Sequence, residues 1–320
     1  MRTFLVAFLM ALGIAALTTS PVLHLARWLR LFDEPDGVRK IHSNAIPRLG
    51  GIALAAGYLS PLVALLFYTN TFATELREHD TRLHAFFLGA LAILGLGIYD
   101  DIRGCGAWAK LGVQSSVALL LWSVGLRFDS FSLMGTAYEL GVLSLPITML
   151  WVAGIINAIN LIDGMDGLAA GVAVFASLAL FIIAVMDGNP ILALFASVLG
   201  GACLGFLLYN FSPALIFMGD SGSMGIGYMF AVASLWTVSK RSTALALLLP
   251  VVALGLPIAD TFLAFGRRAI RGRSPFHSDR EHIHHRLLDR GLTPRQAVLL
   301  LYVICGVLTA VVVALRAWVI

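Results

Sequence analysis

Charge is scarce in this sequence of 320 residues: Asp, Glu, Lys and Arg make up 12% of it, about half the share usual in soluble domains. With 59% hydrophobic residues and a mean hydropathy of +0.90, too little polar surface remains to cover a water-soluble core, which excludes an ordinary soluble globular protein. Cysteine is sparse as well. Cys203 and Cys305 lie inside apolar runs and Cys105 in a short loop, so there is no disulfide framework and the redox compartment stays undetermined. Internal repeats, low-complexity tracts and a soluble domain are missing, and the longest polar segment, Gly266 to Arg295, is only a loop. The net charge of +4 is modest, and no nucleic-acid partner is expected.

What the sequence does contain is a series of apolar runs. They lie at about 4–25, 49–68, 84–99, 108–126, 142–160, 168–186, 191–209, 223–238, 244–265 and 296–319, near the length of about 20 residues that a helical span requires. The first follows Arg2 and reaches Ala15 and Ala16 in the outline of a signal peptide, but its continuation through Pro21, Val22, Leu23 and Leu25 gives it the length of a span. The expected fold class is all-α: a polytopic integral membrane protein of about ten transmembrane helices, in one domain over residues 1–320. Ten crossings put both termini on the same side. One set of loops, at about 26–48, 100–107, 161–167, 210–222 and 266–295, carries with its borders 15 of the 22 Lys and Arg residues. The positive-inside rule makes these loops cytoplasmic and both termini external. Gly201 and Gly205 form a small-xxx-small pair that lets two helices approach closely.

Each of the five loops holds residues that a plain connector does not need. The first reads GVRKIHSNAIPRLGG from Gly37 to Gly51, with Arg39, Lys40, His42 and Arg48; alone, these charges are explained by membrane topology. The second opens with Asp100 and Asp101 at the end of a span. Adjacent carboxylates repel there and need a cation or donor, which favours a metal or phosphoryl-transfer site over a solvated helix end. The third loop, within NAINLIDGMDGLAAG, spaces Asn157, Asn160, Asp163 and Asp166 three apart. Asn157 and Asn160 therefore share a helix face. Gly164 and Gly167 stop that helix, and Asp163 and Asp166 are expected to fold back over its carboxyl end, whose free carbonyls favour a cation. Oxygen ligands of this kind suit Mg2+.

The fourth loop, NFSPALIFMGDSGSMGIG, carries Asp220 in a Gly-rich run that feeds a helix amino end. Phosphate binding by backbone N–H groups and plain N-capping by Asp220 or Ser221 both fit, while a P-loop is excluded because its Lys is missing. The fifth contains SPFHSDREHIHHRLLDRGLTPRQ. Ser278 and Glu281 form a capping-box pattern, Gly291 ends the short helix, and Thr293, Pro294 and Gln296 open the last span. His282, His285 and Arg286 project to one side of the short helix, and Ile283 with Leu287 forms an apolar strip suited to a membrane surface. Cations facing a diphosphate explain this cluster better than zinc, since no Cys or second His pair lies nearby.

In their order, and over the chain from Lys40 to Arg286, the five motifs resemble those of the polyprenyl-phosphate N-acetylhexosamine-1-phosphate transferases, the glycosyltransferase family 4 that includes the phospho-MurNAc-pentapeptide translocase. HIHHRL at His282 to Leu287 looks like the branch that transfers GlcNAc-1-phosphate to undecaprenyl phosphate; the translocases typically have three consecutive histidines where Ile283 intervenes here. The resemblance implies that Asn160 and Asp220 hold Mg2+, with Mn2+ as the alternative ion, and that Asp100 and Asp101 are catalytic beside the lipid phosphate. It implies that Phe217 stacks on uracil, with Asp163 and Asp166 near the nucleotide; Asn157 is counted among the substrate-binding residues. Lys40, His282, His285 and Arg286 would address the diphosphate or the lipid phosphate. One departure is the carboxyl end, where relatives of this branch often have a further span and only 296–319 follows the His loop here.

The reaction expected is attack of a lipid phosphate oxygen on the β-phosphorus of a UDP-sugar, releasing UMP, as the initiating step of a cell-envelope glycan. A phosphate monoester is mostly dianionic at neutral pH, so metal binding and positioning are expected of Asp100 and Asp101 rather than proton abstraction or a covalent aspartyl intermediate. Expected partners are a UDP-N-acetylhexosamine, undecaprenyl phosphate and the bilayer of the cell membrane, with a homodimer as an open alternative to a monomer. Another UDP-N-acetylhexosamine or phospho-MurNAc-pentapeptide is the alternative donor. The rival class, a secondary transporter, would carry midplane polar residues and repeated halves, and the sequence has neither.

Overall fold

The computed structural model describes residues 1–33, 45–67, 80–133, 136–238 and 283–319. Nine of the ten apolar runs coincide with helices: α1 (Arg2–Trp28), α2 (Gly50–Leu66), α3 (Asp80–Arg103), α4 (Ala107–Ser123), α5 (Ser144–Ile162), α6 (Leu168–Met186), α7 (Pro190–Asn210), α8 (Gly219–Val238) and, after the short α9 (Ile283–Asp289), α10 (Pro294–Val319). The remaining run, 244–265, lies outside the described residues. Among the described residues six helices are long and apolar enough to cross a bilayer, namely α1, α3, α5, α6, α7 and α10. The figure falls below ten partly because α2 and α4 have only 17 residues each. In addition, α8 is diluted by Gly and Ser.

That dilution has a structural cause. α8 lies in the middle of the bundle, against α2, α3, α5 and α7, and every residue from Ser221 to Trp236 is buried. A helix enclosed by other helices needs thinness more than apolarity. A methyl group added at Gly227 would come within 2.6 Å of Ile156 Cα on α5, and one at Gly225 within 2.7 Å of the Tyr58 hydroxyl on α2. Gly201 and Gly205 do the same for α7: a side chain at either would overlap the carbonyl of Phe8 or Leu12 on α1.

Helix boundaries follow local chemistry. Thr293 and Gln296 exchange hydrogen bonds at the start of α10, Thr293 N–H to Gln296 Oε1 at 2.9 Å and Gln296 N–H to Thr293 Oγ1 at 3.3 Å, a reciprocal cap followed by Pro294 in the first turn. Gly291, at φ +90°, turns the chain after α9. Ser278 and Glu281 lie outside the described residues. Two antiparallel ribbons complete the fold. β1 (Phe32–Asp33) pairs with β2 (Ile46–Pro47), and β3 (Ser130–Leu133) pairs with β4 (Thr136–Glu139). The first is docked to the segment before α8: Phe217 N–H donates to the Pro47 carbonyl, while Gly50 and Gly51 N–H donate to the Phe217 and Met218 carbonyls, at 2.8 to 2.9 Å.

Candidate active site

The carboxyl ends of α3, α5 and α7 and the amino ends of α4, α6 and α8 meet at one end of the bundle, and the polar residues singled out in the sequence collect there. Asp101, the last acidic residue of α3, is buried, and its carboxylate caps α8. Oδ1 accepts from Asp220 N–H at 2.8 Å, and Oδ2 accepts from Ser221 N–H at 3.2 Å and Ser221 Oγ at 2.6 Å. A negative charge satisfies the free donors of a helix amino end and its positive dipole together. The sequence reading gives Asp101 a catalytic role; in the structure its oxygens hold the first turn of α8 to α3.

Asp100 points elsewhere. Its Oδ2 accepts from Lys110 Nζ on α4 at 2.8 Å, and the same ammonium donates to Asp220 Oδ2. Asn160 Nδ2, from the last turn of α5, reaches Asp220 Oδ2 at 3.3 Å. Asn160 Oδ1 accepts from Ser223 Oγ at 2.7 Å, which fixes the amide from α8. One turn deeper, Asn157 Nδ2 donates to Gln114 Oε1 at 2.7 Å, so α5 is bound to α4 beneath the site. Two carboxylates, one ammonium and one carboxamide from α3, α4, α5 and α8 thus share a single focus.

Asp163 is the cap residue after α5 and is half-buried. Burial chiefly, then the negative charges of Asp220 and Asp101, push its carboxyl up to about 8, against the opposing pull of Arg48. At this rim the carboxylates of Asp101, Asp163 and Asp220 act on one another, and Arg48 opposes them. Asp166 does not turn back over α5 as its spacing predicts. Its Oδ2 accepts from Ala214 N–H at 3.0 Å and joins the third loop to the fourth. Asn210 strengthens that junction, accepting from Gly167 N–H at 3.1 Å and donating to the Ile216 carbonyl at 2.9 Å. Phe217, expected to stack on uracil, anchors the β1–β2 ribbon through its backbone, and its ring is half-buried. Lys40 and His282 lie outside the described residues, as does the side chain of His285, while Arg286 is exposed on α9.

Sequence reasoning missed Lys110, Gln114, Asn210, Ser221 and Ser223 as parts of one assembly. Lys110 carries a usable signal, because an ionisable residue within an apolar run is a functional candidate by default, although its place beside a Lys- and Arg-rich loop is also explained by membrane topology. Among the described residues no three His, Cys, Asp or Glu side chains gather into a metal cage. Asp100, Asp220 and the Asn160 amide nevertheless fit a hard cation that completes its shell with substrate oxygens. Exchange of the amide N and O of Asn160 turns its oxygen toward Asp220 and leaves its NH2 to Ser223.

Six apolar helices crowned at one end by this charged focus define a multi-pass membrane protein with a polar site at its rim. The family model of glycosyl transferase family 4 matches residues 83–238, from α3 to the end of α8. The chain is 37% identical over 319 residues, 99% of its length and 86% of the relative's, to a probable undecaprenyl-phosphate N-acetylglucosaminyl 1-phosphate transferase of Bacillus subtilis (strain 168). It is 36% identical to the decaprenyl-phosphate N-acetylglucosaminephosphotransferase of Mycolicibacterium smegmatis, over 93% of this chain and 80% of that one. It is 28% identical to the undecaprenyl-phosphate alpha-N-acetylglucosaminyl 1-phosphate transferase of Escherichia coli (strain K12), over 90% and 77% of the two chains. Similarity of this extent makes the chain a member of glycosyl transferase family 4.

Proposed function

We propose that this protein transfers N-acetylglucosamine-1-phosphate from UDP-N-acetylglucosamine to undecaprenyl phosphate, giving the undecaprenyl-diphosphate sugar and UMP. The observation that carries this reading is the convergence of Asp100, Lys110, Asn160 and Asp220 on one focus, in a chain similar over nearly its whole length to relatives named for this transfer. In the step itself, an oxygen of the lipid phosphate forms a bond to the β-phosphorus. The bond from that phosphorus to the oxygen shared with the α-phosphate breaks, and UMP departs with that oxygen. The attacking phosphate is mostly dianionic at neutral pH, so no base has to remove a proton.

The protein's part is then charge and position. Asp220, Asn160 and Asp100 would hold Mg2+, or Mn2+ in its stead, which when bound supplies charge neutralisation at the diphosphate and at the leaving UMP. Lys110 is within reach of the same anionic groups and adds a fixed positive charge. Asp101 acts through α8 as a positioning residue. Phe217, Asp163, Asp166 and Asn157 border the donor, and Lys40, His282, His285 and Arg286 belong to its phosphate-binding set. The rim faces the cytoplasm, with ten spans and both termini external; the concentration of Lys and Arg in the rim-side loops supports this orientation.

The test is purified protein in detergent with Mg2+, undecaprenyl phosphate and a panel of UDP-sugars, scored by UMP release. UMP release is expected with UDP-N-acetylglucosamine. No release with any UDP-N-acetylhexosamine would end the assignment.

A further inference from the structure

The last helix reaches back to the rim. Tyr302 of α10 donates its hydroxyl to the Gly167 carbonyl at 2.6 Å. The two residues stand 135 positions apart, so no local pattern announces the pairing. The Tyr302 ring packs near Phe175 of α6 and Phe211 at the end of α7, with centroids 5.8 and 6.4 Å away. Gly171 makes room for the phenol: a methyl group there would come within 2.1 Å of the Tyr302 hydroxyl.

Gly167 forms the turn between Asp166 and α6. It sits at φ +76°, a conformation that glycine enters at little cost. The same freedom means that glycine does not hold the turn by itself. Two side chains from other elements do so. Asn210 accepts from the Gly167 N–H at 3.1 Å. On the other side, the Gly167 carbonyl already accepts from Gly171 N–H at 2.9 Å, and Tyr302 occupies its second lone pair. The peptide groups before and after Gly167 are both fixed, and with them the direction of the segment that carries Asp163 and Asp166.

We infer that Tyr302 is a positioning residue for the nucleotide-sugar donor: its hydrogen bond to Gly167 fixes the loop through which Asp163 and Asp166 border that donor. The inference rests on the transfer reaction proposed above. α10 is suited to the task because it begins where the fifth loop ends. At its start the Arg295 guanidinium lies over the Phe211 ring, 5.6 Å from its centroid, so one helix is tied to the third, fourth and fifth loops together. Tyr302 stands apart from Asp100, Asn160 and Asp220, and its hydroxyl is spent on the Gly167 carbonyl. Its effect therefore falls on donor binding rather than on the chemical step.

The experiment is steady-state UMP release by the full chain in detergent with Mg2+, varying UDP-N-acetylglucosamine and undecaprenyl phosphate in turn. Tyr302→Phe removes the hydroxyl and keeps the ring. It should raise KM for the donor about fivefold, the worth of one neutral hydrogen bond, and leave kcat and KM for undecaprenyl phosphate at their wild-type values. Calorimetric titration with UDP-N-acetylglucosamine and Mg2+, without lipid acceptor, should show the same fivefold loss independently of turnover. Thr309→Val is the control. Thr309 Oγ1 also joins α10 to α6, donating to the Phe175 carbonyl at 3.3 Å, but deeper in the bundle, and both KM values should stay as they are. A donor KM untouched by Tyr302→Phe, an equal rise in both KM values, a fall in kcat alone, or the same donor effect from Thr309→Val overturns the inference. Failure of Tyr302→Phe to fold overturns it as well, because the hydroxyl would then serve stability rather than the donor. A wild type that releases no UMP with any UDP-N-acetylhexosamine ends the proposed reaction itself, and this inference with it.

Discussion

Asp100 and Asp101 are neighbours in sequence with opposite duties, and substitution separates them. Asp101 accepts three hydrogen bonds from the first turn of α8, so Asp101→Asn is expected to cost about 1–3 kcal/mol of stability by weakening that cap. The Asp100 carboxylate pairs with the Lys110 ammonium and faces Asp220. Asp100→Asn should leave the melting temperature within a degree or two and reduce UMP release by about a hundredfold or more, as loss of a charge-positioning group does. Thermal denaturation beside the transfer assay distinguishes the two, and equal melting temperatures for both variants would contradict this division. Asp163 makes a pH-dependent prediction. Its carboxyl titrates near 8 in the folded chain against an ordinary value of 3.8, so the folded state keeps a proton that the unfolded state has lost. Stability is greatest below about pH 4 and declines as pH rises toward about 8. Asp163→Asn cannot ionise, so in chelator its melting temperature should exceed that of the wild type by more at pH 8 than at pH 5. The same difference at both pH values would show that Asp163 is not held protonated.

At the scale of the element, the junction of α3 with α8 is set by glycine. A methyl group at Gly97 would overlap the backbone of Ser221, beside Asp220, whereas one at Gly95, two residues earlier, meets open space. Gly97→Ala should therefore push α3 away from α8, misplace Asp100 and Asp220 relative to one another and reduce transfer by about a hundredfold. Gly95→Ala should transfer at the wild-type rate. Equal activity of the two variants would show that the rim tolerates movement of its helices. Hydrophobic period and length made the spans legible in the sequence, and Thr293 with Gln296 announced the start of α10. Asp100, Asn160 and Asp220 stood out because polar side chains at the ends of apolar runs need a reason. Gln114 did not, and although Lys110 is conspicuous in an apolar run, nothing local says that it faces α3 and α8, or that Gln114 faces α5, across the bundle. The central position of α8 was equally hidden: its glycines record close contact but do not name the helices that make it.

For the molecule as a whole, charge balance without a metal is supplied by Lys110, which joins Asp100 to Asp220. Chelation should accordingly stop UMP release while leaving helix content unchanged by circular dichroism, and added Mg2+ should restore transfer. Continued transfer in excess chelator would remove the cation from the proposed site, and unfolding on chelation would show that Lys110 does not substitute for it. The buried position of α8 reaches beyond the site. A photoactivated carbene dissolved in the membrane would tag the outward faces of α1, α3 and α10 and leave the strut that carries Asp220 silent. Changes in bilayer thickness or fluidity reach the chemistry only second-hand, through the helices that ring it.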